Sequence, residues 1–376
     1  MKIEFSKIFI KDKFETLKKI EETIDSGWIT QGTKVEEFEN VVSRYVLSKY
    51  AVAFSSCTSA LHIALLLCNV GPGDEVICPS YSFVASANSI VYTGAKPVFA
   101  DIDLDTYNIS ADDTKSKITS RTKAILIVHQ FGLPCDMDAI LKVAREKGLY
   151  VIEDAACAIG SEYRGKRIGS IGDLTCFSFH PRKIITTGEG GMLTTENKEW
   201  ALKAKKLREH GVSIPLTERH KFGGVLNESY DLIGYNYKMT DIQAALGISQ
   251  MKHIDYIIDQ RNKIALTYKE LLSDIQNVKP ITVPPYVSRY NYQSFSIMLK
   301  DNIDREFLLS RLAANGISCR RGIYPIHLFY KQNIYLPNTL CAYNHSLILP
   351  MYVGMGLDEQ KYVVDNLKAI LSEGGS

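Results

Sequence analysis

An α/β fold, with a mostly parallel central sheet and a smaller C-terminal α/β domain, is predicted by two features of the chain. Short apolar runs of strand length alternate with helix-periodic segments through the first 200 residues, the pattern of successive βαβ units. From residue 240 the pattern changes to a long helical stretch followed by one strand-like run and two further helical patterns. The expected division is residues 1–245, N-terminal segment included, for the large domain and residues 246–376 for the smaller one.

Taken in order, the expected strands are Ala51–Phe54, Glu75–Cys78, Pro97–Ala100, Ala124–His129, Leu149–Glu153, Thr175–Phe179 and Gly191–Thr195. Helices are expected to begin near Ser59, Ser82 and Asp136. Thr240-Asp241-Ile242-Gln243 reads as a capping box. The apolar positions Ala244, Leu246, Ile248, Met251 and Ile254 then predict one helix crossing between the domains. Beyond it, Gln293–Leu299 reads as a strand, Arg305–Asn315 as a helix stopped by Gly316, and Asp358–Leu371 as a terminal helix. There is no internal repeat and no low-complexity linker.

Composition narrows the function classes. The chain has 376 residues, 45% hydrophobic and 23% charged, with a formal net charge of +2. Charges this evenly mixed argue against a nucleic-acid or membrane surface and leave small molecules as the expected partners. The start, Met1-Lys2-Ile3-Glu4-Phe5-Ser6-Lys7, has no apolar stretch of signal-peptide length, and the longest apolar run, around Leu61 to Val70, is too short to span a bilayer. A cytoplasmic location is expected. The eight cysteines are scattered without a C-x-x-C pair, so no zinc or other metal site and no redox dithiol is expected.

The chemistry centres on Lys183, in Ser178-Phe179-His180-Pro181-Arg182-Lys183-Ile184-Ile185-Thr186-Thr187-Gly188-Glu189-Gly190-Gly191, and on Asp154, just past the apolar run Leu149–Ile152. Lysines are mostly surface residues, and Asp before Ala155-Ala156 is a common helix cap. Yet an amine delivered by an apolar strand and followed by a Gly-rich turn, with an acid at a strand terminus, is what a pyridoxal 5'-phosphate (PLP) site requires. The amine closes a Schiff base on the cofactor's aldehyde, and the acid keeps the pyridine nitrogen protonated. Ser55-Ser56-Cys57-Thr58-Ser59 joins a strand to a helix, where free N–H groups and the hydroxyls of Thr58 and Ser59 could surround an anion or simply cap the helix.

Three strings carry a wider likeness: Ser26-Gly27-Trp28-Ile29-Thr30-Gln31-Gly32, Glu153-Asp154-Ala155-Ala156 with the lysine segment, and Gly234-Tyr235-Asn236-Tyr237-Lys238-Met239-Thr240-Asp241-Ile242-Gln243-Ala244-Ala245. In these the chain resembles the DegT/DnrJ/EryC1/StrS family of PLP-dependent sugar aminotransferases, while the last third resembles it only loosely. The resemblance implies the fold-type I, aspartate-aminotransferase-like architecture. It also implies that Lys183 and Asp154 are the catalytic pair, that Thr58, Ser59 and Ser178 bind phosphate, and that Phe83 covers the ring, with Tyr81 as its competitor. Asn236 is implied to reach the cofactor of a partner subunit in a homodimer with shared active sites, with Lys238 adding charge there.

Two departures stand out. Cys157 occupies a cofactor-side position where many relatives carry Gln, and the phosphate loop reads Ser-Cys-Thr instead of Asn-Gly-Thr. On the substrate side, Arg320, Tyr324 and His327 are candidates, with Arg182 and Arg321 as further arginine forks for a carboxylate or phosphate. His180, three residues before Lys183, reads as a loop-orienting histidine, because the lysine already serves for proton transfer.

The implied activity takes an amino group from L-glutamate through pyridoxamine 5'-phosphate to a keto-sugar nucleotide, giving an amino sugar for polysaccharide or glycoconjugate synthesis. A different ketone, such as a cyclitol or a small phosphorylated ketone, is the alternative acceptor. A sugar dehydratase is disfavoured because such relatives replace the Schiff-base lysine with histidine, and the intact Lys and Asp pair disfavours a non-catalytic PLP-binding regulator.

Overall fold

The computed structural model describes residues 1–214 and 229–373. In chain order its first strands are β1 (Tyr50–Phe54), β2 (Glu75–Pro79), β3 (Lys96–Ala100), β4 (Thr122–Val128), β5 (Tyr150–Asp154), β6 (Glu162–Tyr163), β7 (Lys166–Arg167), β8 (Leu174–Ser178) and β9 (Gly191–Thr195). Seven of these form the central sheet, in the order β1-β9-β8-β5-β4-β2-β3. β9 runs against both of its neighbours, and the remaining pairings are parallel. The mostly parallel sheet is as the alternating pattern predicts.

Its strands are apolar throughout because both faces are covered. In β4, Ala124, Leu126 and Val128 belong to one core and Ile125 and Ile127 to the other. The helices Cys57–Leu67, Ala85–Tyr92 and Met137–Lys147 begin within three residues of the expected points. Ser56 caps the first through a reciprocal box with Ser59, and Asp136 caps the third.

Two of the three family-like strings bind each other. Asp241 accepts the N–H groups of Gly32 and Val35 on Oδ1, at 2.8 and 3.0 Å, and that of Lys34 on Oδ2 at 3.1 Å, so it caps the helix Thr33–Val46 from across the fold. A Cβ at Gly32 would lie 2.3 Å from the Trp28 ring, which is why the turn needs glycine. These strings are scaffold: they fix the floor beneath the lysine segment.

The capping box at Thr240 forms as expected, but the helical stretch after it is two helices, Asp241–Met251 and Ile254–Leu272, broken at Lys252 and His253. Ile254, Ile257 and Ile258 of the second pack with the large core, and Ile264, Ala265, Tyr268 and Leu272 with another. Divided by packing, we place the hand-over between domains inside this helix. The N-terminal segment also sides with the smaller unit at first, because Ile3 exchanges backbone bonds with Gly316 and Ser318.

That smaller unit contains β10 (Val278–Pro280), β11 (Val287–Arg289), β12 (Phe295–Leu299), β13 (Arg320–Arg321) and β14 (Ser346–Leu349). An antiparallel sheet of order β10-β12-β14-β13 shares a core with Ile254–Leu272, Arg305–Ala314 and Leu357–Glu373, while β11 joins β6 and β7. Among the described residues no helix is long and apolar enough to cross a membrane.

Candidate active site

A cleft of about 240 Å³ opens between the two units, and Asp154, at the end of β5, is on its wall together with Ala156, Cys157 and Lys183. β5 lies between β4 and β8 in the sheet, so Asp154 stands outside the carboxyl ends of parallel strands, where open α/β sheets collect ligands.

Asp154 is 6% exposed. Its Oδ2 accepts the Ser86 hydroxyl at 2.7 Å and its Oδ1 the Ala156 N–H at 3.1 Å. Burial pushes its pKa up, more than these bonds and the Lys183 charge pull it down. Ser82 Oγ lies 2.8 Å from Ser86 Oγ, and since the Ser86 proton is spent on the carboxylate, Ser82 is the donor between them. Behind Asp154, the fully buried Glu153 accepts from His129 Nε2 at 2.8 Å and from Thr175 and Gly172 at 2.7 Å each. His129 Nδ1 accepts the Cys135 N–H, which fixes its tautomer.

Lys183 follows β8 on a loop tied back by Thr187 N–H to Phe179 O at 3.0 Å and Lys183 N–H to His180 O at 2.9 Å. The loop turns at Gly188, at φ +79°, and re-enters the sheet at Gly191, where a Cβ would fall 2.4 Å from the Ser56 carbonyl carbon. Glycine there lets β9 start against the N-terminus of the helix Cys57–Leu67. The Lys183 amine donates to Cys157 Sγ at 3.1 Å. Burial lowers the amine's pKa, but the Cys157 sulfur and the Asp154 and Cys57 groups outweigh it, and the net shift is upward.

These residues fit PLP. Asp154 is a buried carboxylate with too little positive charge around it, which a ring N–H would supply. Ala155 and Ala156 leave room for a flat ring beside it. The helix N-terminus at Cys57 can meet a phosphate, and the half-buried Thr58 has no hydroxyl partner among the described residues. Ser178 is 8% exposed, and its Oγ accepts only a 3.4 Å bond from the His180 N–H. Ser59 differs from expectation: its hydroxyl is engaged with Ser56 in the capping box, so it shapes the helix start and is not a free donor.

Phe83 lines the cleft and is 72% exposed, whereas Tyr81 is fully buried against Ser346 Oγ at 2.7 Å and is removed as a ring-stacking candidate. Asn236 is exposed, off the cleft, with its Oδ1 accepting from Lys238 Nζ at 2.6 Å.

The substrate-side candidates separate. Arg320 lines the cleft, 4.7 Å over the Phe5 ring, and Arg182 lines it too. Burial and the neighbouring Arg182 charge lower the Arg320 pKa. His327 lies outside the cleft lining: it is buried, its Nδ1 is 2.6 Å from Ser80 Oγ and its N–H donates to that oxygen, so it pins the smaller unit to the end of β2. Tyr324 stands edge-on to Tyr343 with ring centroids 5.5 Å apart, outside the lining. Arg321 is paired with Glu306 at 2.6 Å, and His180 is a half-exposed loop residue.

Sequence reasoning missed Ser86, Lys7, Arg261 and Asn291. Asn291, fully buried, donates to the carbonyls of Cys157 and Ile159 at 2.7 and 2.9 Å and so holds the segment after Asp154. Its fit explains Gly132, where a Cβ would lie 2.0 Å from Asn291 Oδ1. No local spacing signals these contacts, which join residues far apart in the chain.

Comparison with known proteins agrees with this geometry. The profile of the DegT/DnrJ/EryC1/StrS aminotransferase family matches residues 11–368. The chain is 38% identical to the spore coat polysaccharide biosynthesis protein SpsC of Bacillus subtilis, over 95% of this chain and 94% of that one. It is 41% identical to a GDP-perosamine synthase of Caulobacter vibrioides, over 82% and 81% respectively. In structure it is similar to the putative sugar aminotransferase Spr1654 of Streptococcus pneumoniae in its PLP form, with a TM-score of 0.93, 27% identity and all of both chains covered. That protein is also solved in its PMP form.

Proposed function

The chain belongs to the DegT/DnrJ/EryC1/StrS aminotransferase family, and from that premise we propose that it moves the amino group of L-glutamate onto the ketone of a keto-sugar nucleotide, giving an amino sugar for a polysaccharide or glycoconjugate. It is a PLP-dependent transaminase. The observation that carries the proposal is one cleft holding both Lys183 and Asp154 and bordered by the cations Lys7, Arg182, Arg261 and Arg320. Both proposed substrates are anions, so a cationic wall supports them.

When bound, PLP supplies an electron sink for the carbon bearing the amino group. On our reading, Lys183 Nζ would be the group that holds the cofactor, and its amine would serve as the base and acid that move the proton. Asp154 keeps the proton on the ring nitrogen, and Ser86 orients that carboxylate. Ser178, Thr58 and the N–H groups at the start of the helix Cys57–Leu67 receive the phosphate. Phe83, which lines the cleft, would cover the ring and exclude water. Cys157, a weak hydrogen-bond partner, takes the place of the amide that many relatives use.

We also infer a homodimer. Asn236 is exposed and outside its own cleft lining, in a segment that carries Ile233, 92% exposed, and Tyr230, 66% exposed, apolar groups that a second copy would cover. Light scattering of the purified protein tests this, and a monomer bearing full activity would refute it.

A ketone other than a sugar nucleotide is the second reading, supported by the apolar side chains Ile323, Ile348 and Leu349 that the smaller unit gives the cleft. One experiment separates the two. Protein loaded with pyridoxamine 5'-phosphate is mixed with keto-sugar nucleotides, cyclitol ketones and small phosphorylated ketones, and return of the PLP absorbance is followed. Return with a keto-sugar nucleotide supports the main proposal, and return only with the other ketones overturns it.

A further inference from the structure

Arg261 has so far counted only as one charge of the cationic wall. It comes from the helix Ile254–Leu272, lines the cleft, and gives Nε to Tyr292 O at 2.7 Å and Nη2 to Gln293 O at 2.6 Å. Both acceptors are neutral carbonyls. No carboxylate pairs with it among the described residues, and burial, opposed only in part by Tyr290, brings its pKa down to about 10. A partly buried guanidinium without a counter-ion is costly, and a fold keeps one where an anion arrives from outside. Nη1 has no protein partner among the described residues and is not among the buried polar atoms left without one, so it remains open to the cleft.

Arg261 also ties the anion's position to the reacting amine. Its two carbonyl acceptors belong to a turn in which Tyr292 has φ +46°, a conformation a tyrosine adopts only when held. Gln293 of the same turn donates its side-chain amide to Arg182 O at 2.9 Å, one residue before Lys183, and Asn291 holds Cys157. A group bound to Arg261 is therefore fixed relative to Lys183 through short links.

We propose that Arg261 binds a carboxylate of the amino donor, and that the Asn291–Gln293 turn is the wall against which the donor lies. The assignment rests on the transaminase reading and deepens it. An amino acid carries its carboxylate one bond from the reacting carbon, so its anion must be met close to Lys183, in the cleft that the partly buried Arg261 lines. The diphosphate of a sugar nucleotide is separated from the ketone by a sugar ring and suits the more exposed Arg182 and Arg320. Nη1 and the second hydrogen of Nη2 leave the end of the planar fork to meet the two oxygens of a carboxylate in parallel bonds.

The test uses holoenzyme and L-glutamate alone, following loss of the PLP absorbance in a single turnover. Arg261→Gln is expected to raise the glutamate concentration for half-maximal rate at least about tenfold with bound PLP unchanged, and Arg261→Lys, which keeps the charge but not the fork, less. Added guanidinium is expected to restore part of the loss in Arg261→Gln. An unchanged glutamate dependence in a loaded variant would overturn the assignment, as would loss of soluble protein in both variants, which would leave Arg261 a support of the turn. If the wild-type protein itself fails to react with any amino acid, the transaminase reading fails instead.

Discussion

Cys157 Sγ accepts the Lys183 ammonium at 3.1 Å, so the residue three places after Asp154 holds the amine that lines the same cleft as the carboxylate. β5 delivers Asp154 and the turn carrying Cys157, the loop after β8 delivers Lys183, and the pairing of β5 with β8 brings the two together. Proximity of catalytic groups here is a consequence of strand order.

Replacing Lys183 with Ala is expected to abolish transamination while leaving the circular dichroism spectrum and oligomeric state unchanged, because the side chain makes one hydrogen bond, to a thiol. Turnover is measured with glutamate and the accepting ketone. Retained turnover would remove Lys183 from the mechanism.

The raised pKa of Lys183 has a kinetic signature. A protonated amine cannot attack an aldehyde, so the rate at which the apoprotein takes up PLP is expected to rise with pH between about 6 and about 9. In Cys157→Ala, one of the influences holding the proton on the amine is gone, and the rise is expected at lower pH. Stopped-flow absorbance at several pH values checks both, and a flat profile in the wild type would contradict the assignment.

Asp154→Asn separates stability from function. Its carboxyl pKa is raised in the fold, so stability falls as pH rises from the ordinary carboxylate value, about 3.9, through the folded one. The neutral amide escapes that loss. Apoprotein carrying Asp154→Asn is expected to melt no lower than wild type at neutral pH, while PLP binding weakens and turnover drops by more than about a hundredfold. A lower melting temperature together with unchanged turnover would reverse the reading.

The parallel sheet, the ends of its strands and the positions of Lys183 and Asp154 were legible because they are written locally, as apolar runs, Gly-rich turns and capping residues. The partner of His327 was not legible, because a histidine after Tyr324-Pro325 looks available until Ser80, brought in by β2, is seen beside it. The capping bond of Ser59 was hidden for a related reason: a hydroxyl at a helix start serves the helix or a ligand, and sequence leaves both open. Arg261 and Asn291 were invisible because their partners lie about thirty or more than a hundred residues away. The break at Lys252 and His253 was hidden by apolar positions that continue across it.

Ser86 is the donor that orients Asp154, and it is fully buried. Ser86→Ala leaves Asp154 Oδ2 without that bond in an environment already short of positive charge. Affinity for PLP is expected to fall about tenfold, the scale of one hydrogen bond to a charged group. Ser82→Ala, one step further from the carboxylate, is expected to do less. Spectrophotometric titration of the apoproteins measures both, and equal effects would argue that Ser82 touches the cofactor itself.

The buried pair of Glu39 and Arg208 tests the scaffold under the site. Glu39 Oε1 takes Arg208 Nη1 at 2.6 Å and the Ala53 N–H at 2.9 Å, and Lys205 Nζ lies 3.3 Å from Oε2. Burial raises the Glu39 pKa, but the Arg208 and Lys205 charges prevail and the net shift is downward. A carboxylate so depressed stabilises the fold in full above its ordinary value, about 4.3, and the contribution is lost as pH falls through the folded value. Glu39→Gln leaves Arg208 buried with its charge uncompensated, a loss of about 3–5 kcal/mol at neutral pH. Denaturant titration is expected to show that loss at neutral pH and a shrinking gap between variant and wild type in acid, since protonation then does to the wild type what the substitution does at every pH. A gap that widened in acid would mean the pair does not stabilise the fold as its geometry implies.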